Sequence, residues 1–274
     1  SRAEQGKRQD AFQADKAGRG DRSTAASAAT LERVRSDVRL LDAREIPTPP
    51  FWGSRVVDSA SLDLRDIYPF INPVALFRGQ WQVKKGELSD AQYDAMLEDK
   101  ILPIFEALKD KCAKEKILQP AAVYGYFPCN SDGDDLVVYD PQAYAQAIGT
   151  PSAGPTSGTP SLRRSVASSL PILERFTFPR QSDKRRLCIS DFFAPIESGH
   201  ADVLALHCVT MGKRASAEAQ KLFAANDYTN YLYLHGLGVE TAEALAEFWH
   251  KRIRQELGIA GDDSPRVKEL FTQH

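Results

Sequence analysis

The chain has 274 residues, with 35 Lys and Arg against 37 Asp and Glu, which gives a formal net charge of −2. A charge this close to neutral disfavours a nucleic-acid-binding protein, which would normally carry a basic excess. No run of 18 apolar residues is present, so the sequence predicts no membrane span, and its polar start lacks the apolar core of a signal peptide.

The cysteines disfavour a zinc-binding protein and a protein held together by disulfides. Cys112, Cys129, Cys188 and Cys208 are widely spaced, with no C-x-x-C pair and no histidine at zinc-ligand spacing. The sequence therefore predicts neither a metal site nor a disulfide framework. Scattered thiols of this kind are typical of a reduced, cytoplasmic protein.

The N-terminal segment has the composition of a linker. Residues 1–30 are mainly polar, with Phe12 their only large apolar side chain, and such a stretch cannot bury enough surface to offset its ordering entropy. A short amphipathic helix capped by Thr30 is predicted next, from the spacing of Leu31, Val34, Val38 and Leu41. The prolines of residues 46–50 require an extended chain.

The remaining elements are expected in three groups. Short helical pieces at 63–70 and 73–81 precede a long helix that starts with a capping box, Ser89 to Gln92, and is kinked or split by Pro103. Strands follow at 121–129, 135–139, 174–179 and 202–210. Residues 149–169 are rich in Gly, Pro, Ser and Thr and are interpreted as a disordered insertion. Helices at 215–225 and 228–257 complete the chain.

The last helix is predicted to be amphipathic. Its buried stripe comprises Leu234, Thr241, Leu245, Trp249, Ile253 and Leu257. Its solvent-facing side comprises Glu240, Glu243, Glu247, Lys251 and Arg254. Because the strands cluster between helical ends, the pattern favours an α+β fold over alternating βαβ units.

Catalytic motifs are weak throughout the sequence. The acidic stretch at 130–135 has its glycine in the wrong position for a calcium loop, and a hairpin turn with Gly133 in a left-handed conformation explains it better. The histidines have no partnered Ser or Cys motif, and no glycine-rich phosphate loop is present. We predict no catalytic residue. Asp191 could cap a turn or line a ligand groove.

Seven phrases, in order, resemble one family, the activation (reactivation) domain of cobalamin-dependent methionine synthase. They lie at residues 47–53 (PTPPFWG), 75–82 (ALFRGQWQ), 123–129 (VYGYFPC), 178–181 (FPRQ), 186–195 (RLCISDFFAP), 220–228 (QKLF with DY) and 242–248 (AEALAEF). The spacing of these phrases fits the family from about residue 45 to the end.

The resemblance implies a C-shaped α+β domain with a twisted antiparallel sheet flanked by helices. It makes residues 1–44 the inter-domain linker and 45–274 the activation domain, following a cobalamin-binding module of the same polypeptide. The family's domain binds S-adenosylmethionine and uses it for reductive methylation of inactive cob(II)alamin, with flavodoxin or an equivalent reductase supplying the electron. The chain would thus be part of a larger methyltransferase and inactive alone.

The resemblance also suggests site residues. Phe127, Asn130 and Asp191 are expected on the inner surface of the sheet, and Glu243 matches a glutamate that faces the cobalamin module; an ordinary solvent-facing charge is the alternative for Glu243. The family's Arg-x-x-x-Gly-Tyr-Pro signature is expected beyond His274. Pro47 or a neighbour replaces an acidic residue that contributes to ligand binding in some members.

Two other functions are weighed against this one. The first is a docking module that covers a cobalamin or flavodoxin partner without using S-adenosylmethionine. The second is a free-standing methyltransferase, which is disfavoured because no glycine-rich cofactor loop follows a strand.

Overall fold

Five strands and six α-helices make up the described part of the chain. The computed structural model describes residues 36, 38–148, 170–183 and 185–264. The strands are β1 (Gly53–Val57), β2 (Ala121–Asp132), β3 (Asp135–Tyr139), β4 (Ile172–Thr177) and β5 (Asp202–Thr210). The helices are α1 (Leu64–Ile67), α2 (Asp90–Met96), α3 (Leu102–Lys114), α4 (Pro141–Ile148), α5 (Lys213–Ala224) and α6 (Tyr228–Glu256). Two π-helical segments, Ala75–Gln80 and Leu97–Ile101, lie among them.

The strands form one antiparallel sheet around the long strand β2. Strand β5 pairs with one edge of β2, while β1 and β3 share the other edge, and β4 pairs with β3. Because side chains alternate along each strand, the register divides the sheet into two faces. Arg55, Tyr124 and His207 form one cross-strand row, and Val56, Val123 and Cys208 form the neighbouring row on the opposite face.

Helix α6 covers the first of these faces. Trp249 of α6 packs edge-to-face against Tyr124 of β2, with ring centroids 5.1 Å apart. On another side of the helix, Trp81 donates a hydrogen bond from its indole nitrogen to the carbonyl oxygen of Tyr233 at 3.1 Å. The main hydrophobic core therefore lies between the sheet, α6 and the helical segments that precede β2.

Several local predictions are confirmed. Ser89 caps α2 in a reciprocal capping box with Gln92. Pro103 lies in the first turn of α3, directly after the π-helical segment that separates α3 from α2. Gly133 adopts a left-handed conformation, with φ 63°, in the tight turn between β2 and β3. The mixture of helices with an antiparallel sheet confirms the predicted α+β class.

Other predictions need correction. Glu240 was expected on the solvent-facing side of α6, but only 3% of its surface is exposed, because the π-helical segment around Gln80 covers that side of the helix. Leu257 is only partly buried and follows the end of α6. Strand β2 continues through Asn130 to Asp132, so the hairpin turn is shorter than expected. Strand β1 and helix α4 were not predicted.

The predicted N-terminal helix and the predicted insertion at 149–169 fall mainly outside the described residues. Residues 31–35 and 37 of the predicted N-terminal helix are not described, and residues 38–41 are not helical. The predicted insertion at 149–169 lies outside the described residues. Within the described ranges, none of the helices combines the length and apolarity needed to cross a membrane.

Candidate functional site

One face of the sheet presents apolar side chains to solvent. Val56 of β1, Val123 of β2 and Cys208 of β5 lie side by side across the strands, and Leu206 follows in the next row. The exposed fractions are 79% for Val56, 40% for Val123 and 44% for Leu206. A contiguous apolar surface of this kind is typical of a ligand or partner contact. We call these four residues the open face.

Phe127 lies on the same side of the sheet as the open face, further along β2. It pairs with Leu204 of β5 and packs against the small core cluster around Cys129 and Val138, together with Phe193. Its position, partly buried at one end of the open face, is compatible with the predicted contact to a ligand on the sheet surface.

Asn130 lies on the opposite side of the sheet from Phe127, because the two residues are three positions apart in β2 and side chains alternate between the faces of a strand. Its side-chain amide is buried and donates to the carbonyl oxygens of Ala194 at 3.0 Å and His200 at 2.8 Å. Both amide hydrogens are therefore used to hold the segment between Ile189 and Ala201 against β2. Asn130 and Phe127 do not line one surface together.

Asp191 is a buried partner of Arg180. Nη1 and Nη2 of Arg180 contact the two carboxylate oxygens at 2.5 Å and 2.9 Å, and Nη2 also contacts Asp134 at 2.8 Å. Burial acts to raise the pKa of Asp191, but the hydrogen bonds from Arg180 and Ser36 outweigh it and hold that pKa at about 2. The carboxylate is thus charged, and its partners Arg180 and Ser36 come from other parts of the chain, so it holds tertiary structure together and does not cap its own turn.

Glu243 lies on α6, on a different element from the other three predicted residues. Its side chain is exposed, whereas Glu240, one turn earlier, is buried. Burial raises the pKa of Glu240, and the nearby charge of Glu243 adds to that effect. Of the four predicted residues, Glu243 is the carboxylate that solvent and a ligand can reach.

The sequence did not reveal Arg180 or the open face, which lie beside the predicted residues. Arg180 follows β4 and gave no signal beyond its place in the FPRQ phrase. The open face could have been anticipated from β5, since residues 203–209 are apolar on both faces apart from His207, as in strands with both faces covered. Among the described residues, no group of three or more His, Cys, Asp or Glu side chains is placed to hold a metal ion.

Two surface cavities lie away from these residues. One of about 520 Å³ is formed by residues 59–66 with residues 113–120. The other, of about 350 Å³, is an apolar groove between α3, α5 and α6 that includes Leu108, Leu222 and Tyr233. Neither of these two cavities contains Phe127, Asn130, Asp191 or Glu243.

Comparison with solved structures places the fold. The chain matches the crystal structure of the MetH reactivation domain bound to AdoHcy with a TM-score of 0.65 and 24% identity, covering 89% of this chain and 69% of that one. At this level of identity the likeness establishes the fold, a curled antiparallel sheet flanked by helices.

Sequence comparison identifies the family. Methionine synthase of Mycobacterium tuberculosis is 38% identical over 238 residues, and that of Mycobacterium leprae is 35% identical over 243 residues. Each alignment covers 83% of this chain but 18% of the relative, so the chain spans about a fifth of their length. The family model described as vitamin B12 dependent methionine synthase, activation domain, matches residues 63–274, and the chain belongs to that family.

Proposed function

We propose that this chain is the reactivation module of a vitamin B12-dependent methionine synthase. In this role it binds S-adenosylmethionine for the reductive methylation of inactive cob(II)alamin. The observation that carries the proposal is the family match over residues 63–274. The structural relative bound to AdoHcy supports the choice of ligand, because AdoHcy is what remains of S-adenosylmethionine after its methyl group has been transferred.

The described residues supply binding and orientation, and the bound groups supply the reactive chemistry. S-adenosylmethionine carries a sulfonium cation and an ammonium group, and the exposed carboxylate of Glu243 suits such a ligand by charge. Phe127 and the open face offer apolar surface to a ligand or to the module that presents the corrinoid. We assign Asn130 and Asp191 an indirect role: they hold the segment between Ile189 and Ala201 in place beside Phe127.

The proposed partners follow from the modular nature of the relatives. The cobalamin-binding module of the same polypeptide would present the corrinoid, and flavodoxin or an equivalent reductase would supply one electron. We place this activity in the cytoplasm, which agrees with the four free cysteines, three of them buried. The division into a linker at 1–44, a domain at 45–274 and an insertion at 149–169 stays a prediction.

Calorimetry with S-adenosylmethionine tests ligand binding. We expect saturable heat with one ligand per chain, and Glu243→Gln should weaken the affinity about tenfold, because the negative charge that attracts the cationic ligand is lost. Glu247→Gln is the matched control, since Glu247 is another exposed glutamate one turn further along α6. Absence of heat would favour the docking module instead.

Turnover of the complete enzyme tests the reactivation role. A variant that lacks this module should keep its initial rate of methionine formation, because the methyl transfers of the main cycle do not need it. Its activity should decay during prolonged aerobic turnover, since cob(II)alamin formed by oxidation can no longer be converted back to methylcobalamin. Unchanged activity over the same period would contradict the proposal.

A further inference from the structure

Three parts of the chain meet at the guanidinium of Arg180, and a fourth contacts the carboxylate of Asp191 that this guanidinium binds. Arg180 follows β4 and contacts Asp134 in the β2–β3 turn and Asp191 in the short 3-10 turn Ile189–Phe192. Nη1 also donates to the carbonyl oxygen of Arg186 at 2.7 Å. The fourth part is Ser36, which reaches the same carboxylate from the N-terminal side of the chain.

Ser36 donates two hydrogen bonds to one oxygen of Asp191. Its backbone nitrogen lies 3.0 Å from Oδ2 of Asp191, and its hydroxyl donates to the same atom. Ser36 is buried, and 155 residues separate it from Asp191 in the sequence. A contact over this separation is tertiary, and hydrogen bonds to a charged acceptor are among the stronger ones.

The residues that follow Ser36 are attached at a second point. Ile46 is buried, and so is Pro49 three residues later. Between the two attachment points the chain is held by local contacts, which include the exposed ion pair of Arg39 with Glu45. Exposed ion pairs of this kind contribute little to stability. Ser36 and Ile46 are therefore two points at which the described part of this segment is fixed to the domain.

We propose that Ser36 and residues 38–46 form a strap, held by Asp191 at Ser36 and by burial of Ile46, so that the domain reaches at least as far as Ser36. Ser36 and residues 38–44 then belong to the domain and not to the linker predicted from composition. The Arg180–Asp191 pair provides the carboxylate to which Ser36 of the strap is hydrogen-bonded. This inference does not depend on the proposed ligand.

Hydrogen–deuterium exchange of the full chain tests the strap. Ser36→Ala removes the hydroxyl donor, and Ser36→Pro removes the backbone N–H as well. We expect the amides of residues 38–46 to exchange at least about fivefold faster in Ser36→Ala, and faster still in Ser36→Pro, because the clamped end opens more often. Ser36→Thr keeps a hydroxyl and should restore slow exchange.

Controls separate a strap from general loosening. Ser61→Ala removes another serine-to-aspartate hydrogen bond, from Ser61 to Asp58 at 3.1 Å in an exposed turn, and should leave residues 38–46 unchanged. Asp191 keeps its ion pair with Arg180 in every Ser36 variant. Amide exchange in β2 and α6 should therefore also stay at the wild-type rate. Exchange at 38–46 that is unaltered in Ser36→Pro would overturn the proposal. Equal acceleration throughout the domain would overturn it too.

Discussion

Gln80 donates a hydrogen bond from its side-chain amide to Oε1 of Glu240, at 3.3 Å, across the contact between the π-helical segment and α6. Oε2 of the same carboxyl group has no hydrogen-bond partner among the described residues. A buried carboxylate with one long hydrogen bond is costly when charged, and burial accordingly raises the pKa of Glu240. The protonated form is therefore favoured in the folded state relative to the unfolded chain.

The raised pKa of Glu240 predicts that the domain loses stability as the pH rises. The stability that this group contributes is fully present below its unfolded pKa and is lost as the pH rises through the raised folded value. Glu240→Gln keeps an acceptor for Gln80 and cannot ionise. We expect the variant to match the wild type at acidic pH and to exceed it in free energy of unfolding above neutral pH, by about 1 kcal/mol. Urea unfolding at several pH values measures this difference.

A nearby exposed glutamate provides the comparison for Glu240. Glu247 lies on the same helix and is exposed, so Glu247→Gln should leave the pH dependence of unfolding close to that of the wild type. A constant difference between Glu240→Gln and the wild type at all pH values would argue against a shifted titration.

Glu240, strand β1 and helix α4 differ from what the sequence predicts for identifiable physical reasons. Glu240 was assigned to solvent because its charge and helical position fit a polar face, and only tertiary structure shows that Gln80 covers it. Strand β1 was missed because Gly53–Val57 is short and mostly exposed at the sheet edge, so it lacks clear apolar alternation. Helix α4 did carry a signal, since Asp140 accepts from the backbone of Ala143 and Pro141 begins the helix.

The fold was easier to predict from the sequence than the site. Periodicity located β5 with the bounds that the structure has, and α6 to within one residue. The family phrases supplied function, but they could not tell a ligand-binding side chain from one that holds the scaffold. Asn130 and Asp191 illustrate this, because their partners, Ala194 and Arg180, are brought to them only by folding.

Two glycines of α6 should respond in opposite ways to the same substitution. A methyl group at Gly236 would lie 2.7 Å from Cβ of Gln80 and 2.9 Å from Cδ1 of Trp81, whereas one at Gly238 would lie 3.8 Å from Leu118. Gly236→Ala should therefore destabilise the domain by about 1 to 3 kcal/mol through overpacking. Gly238→Ala should stabilise it by up to about 1 kcal/mol, because alanine favours the helix.

Thermal unfolding of the two alanine variants, side by side, checks the close approach of α6 to the π-helical segment. The opposite signs make the comparison independent of any general effect of helix propensity. Equal stabilisation by both substitutions would mean that the contact of Gly236 with Gln80 and Trp81 is looser than the structure has it.

The Arg180–Asp191 pair should dominate the acid response of the domain. The folded pKa of Asp191, about 2, lies below its ordinary value of 3.8. The stability due to this carboxylate is therefore fully present above about pH 4 and is lost as the pH falls through about 2. Asp191→Asn should remove that part of the acid dependence. It should also lower the free energy of unfolding at pH 7 by about 1.5 to 3 kcal/mol, because buried Arg180 loses one of its two carboxylate partners and keeps Asp134.

Asp132 offers a matched control for this prediction, because it forms an ion pair with Arg175 at 2.9 Å in which both side chains are well exposed. Such pairs contribute between about 0 and 1 kcal/mol, so Asp132→Asn should be nearly neutral at pH 7. Urea unfolding of both variants at pH 7, 5 and 3 gives the comparison. If the two substitutions lower the free energy of unfolding equally at pH 7, Asp191 would have to be hydrated in solution. Its pairing with Arg180 would then contribute as little as a surface ion pair to holding the segment after Ile189 against the sheet.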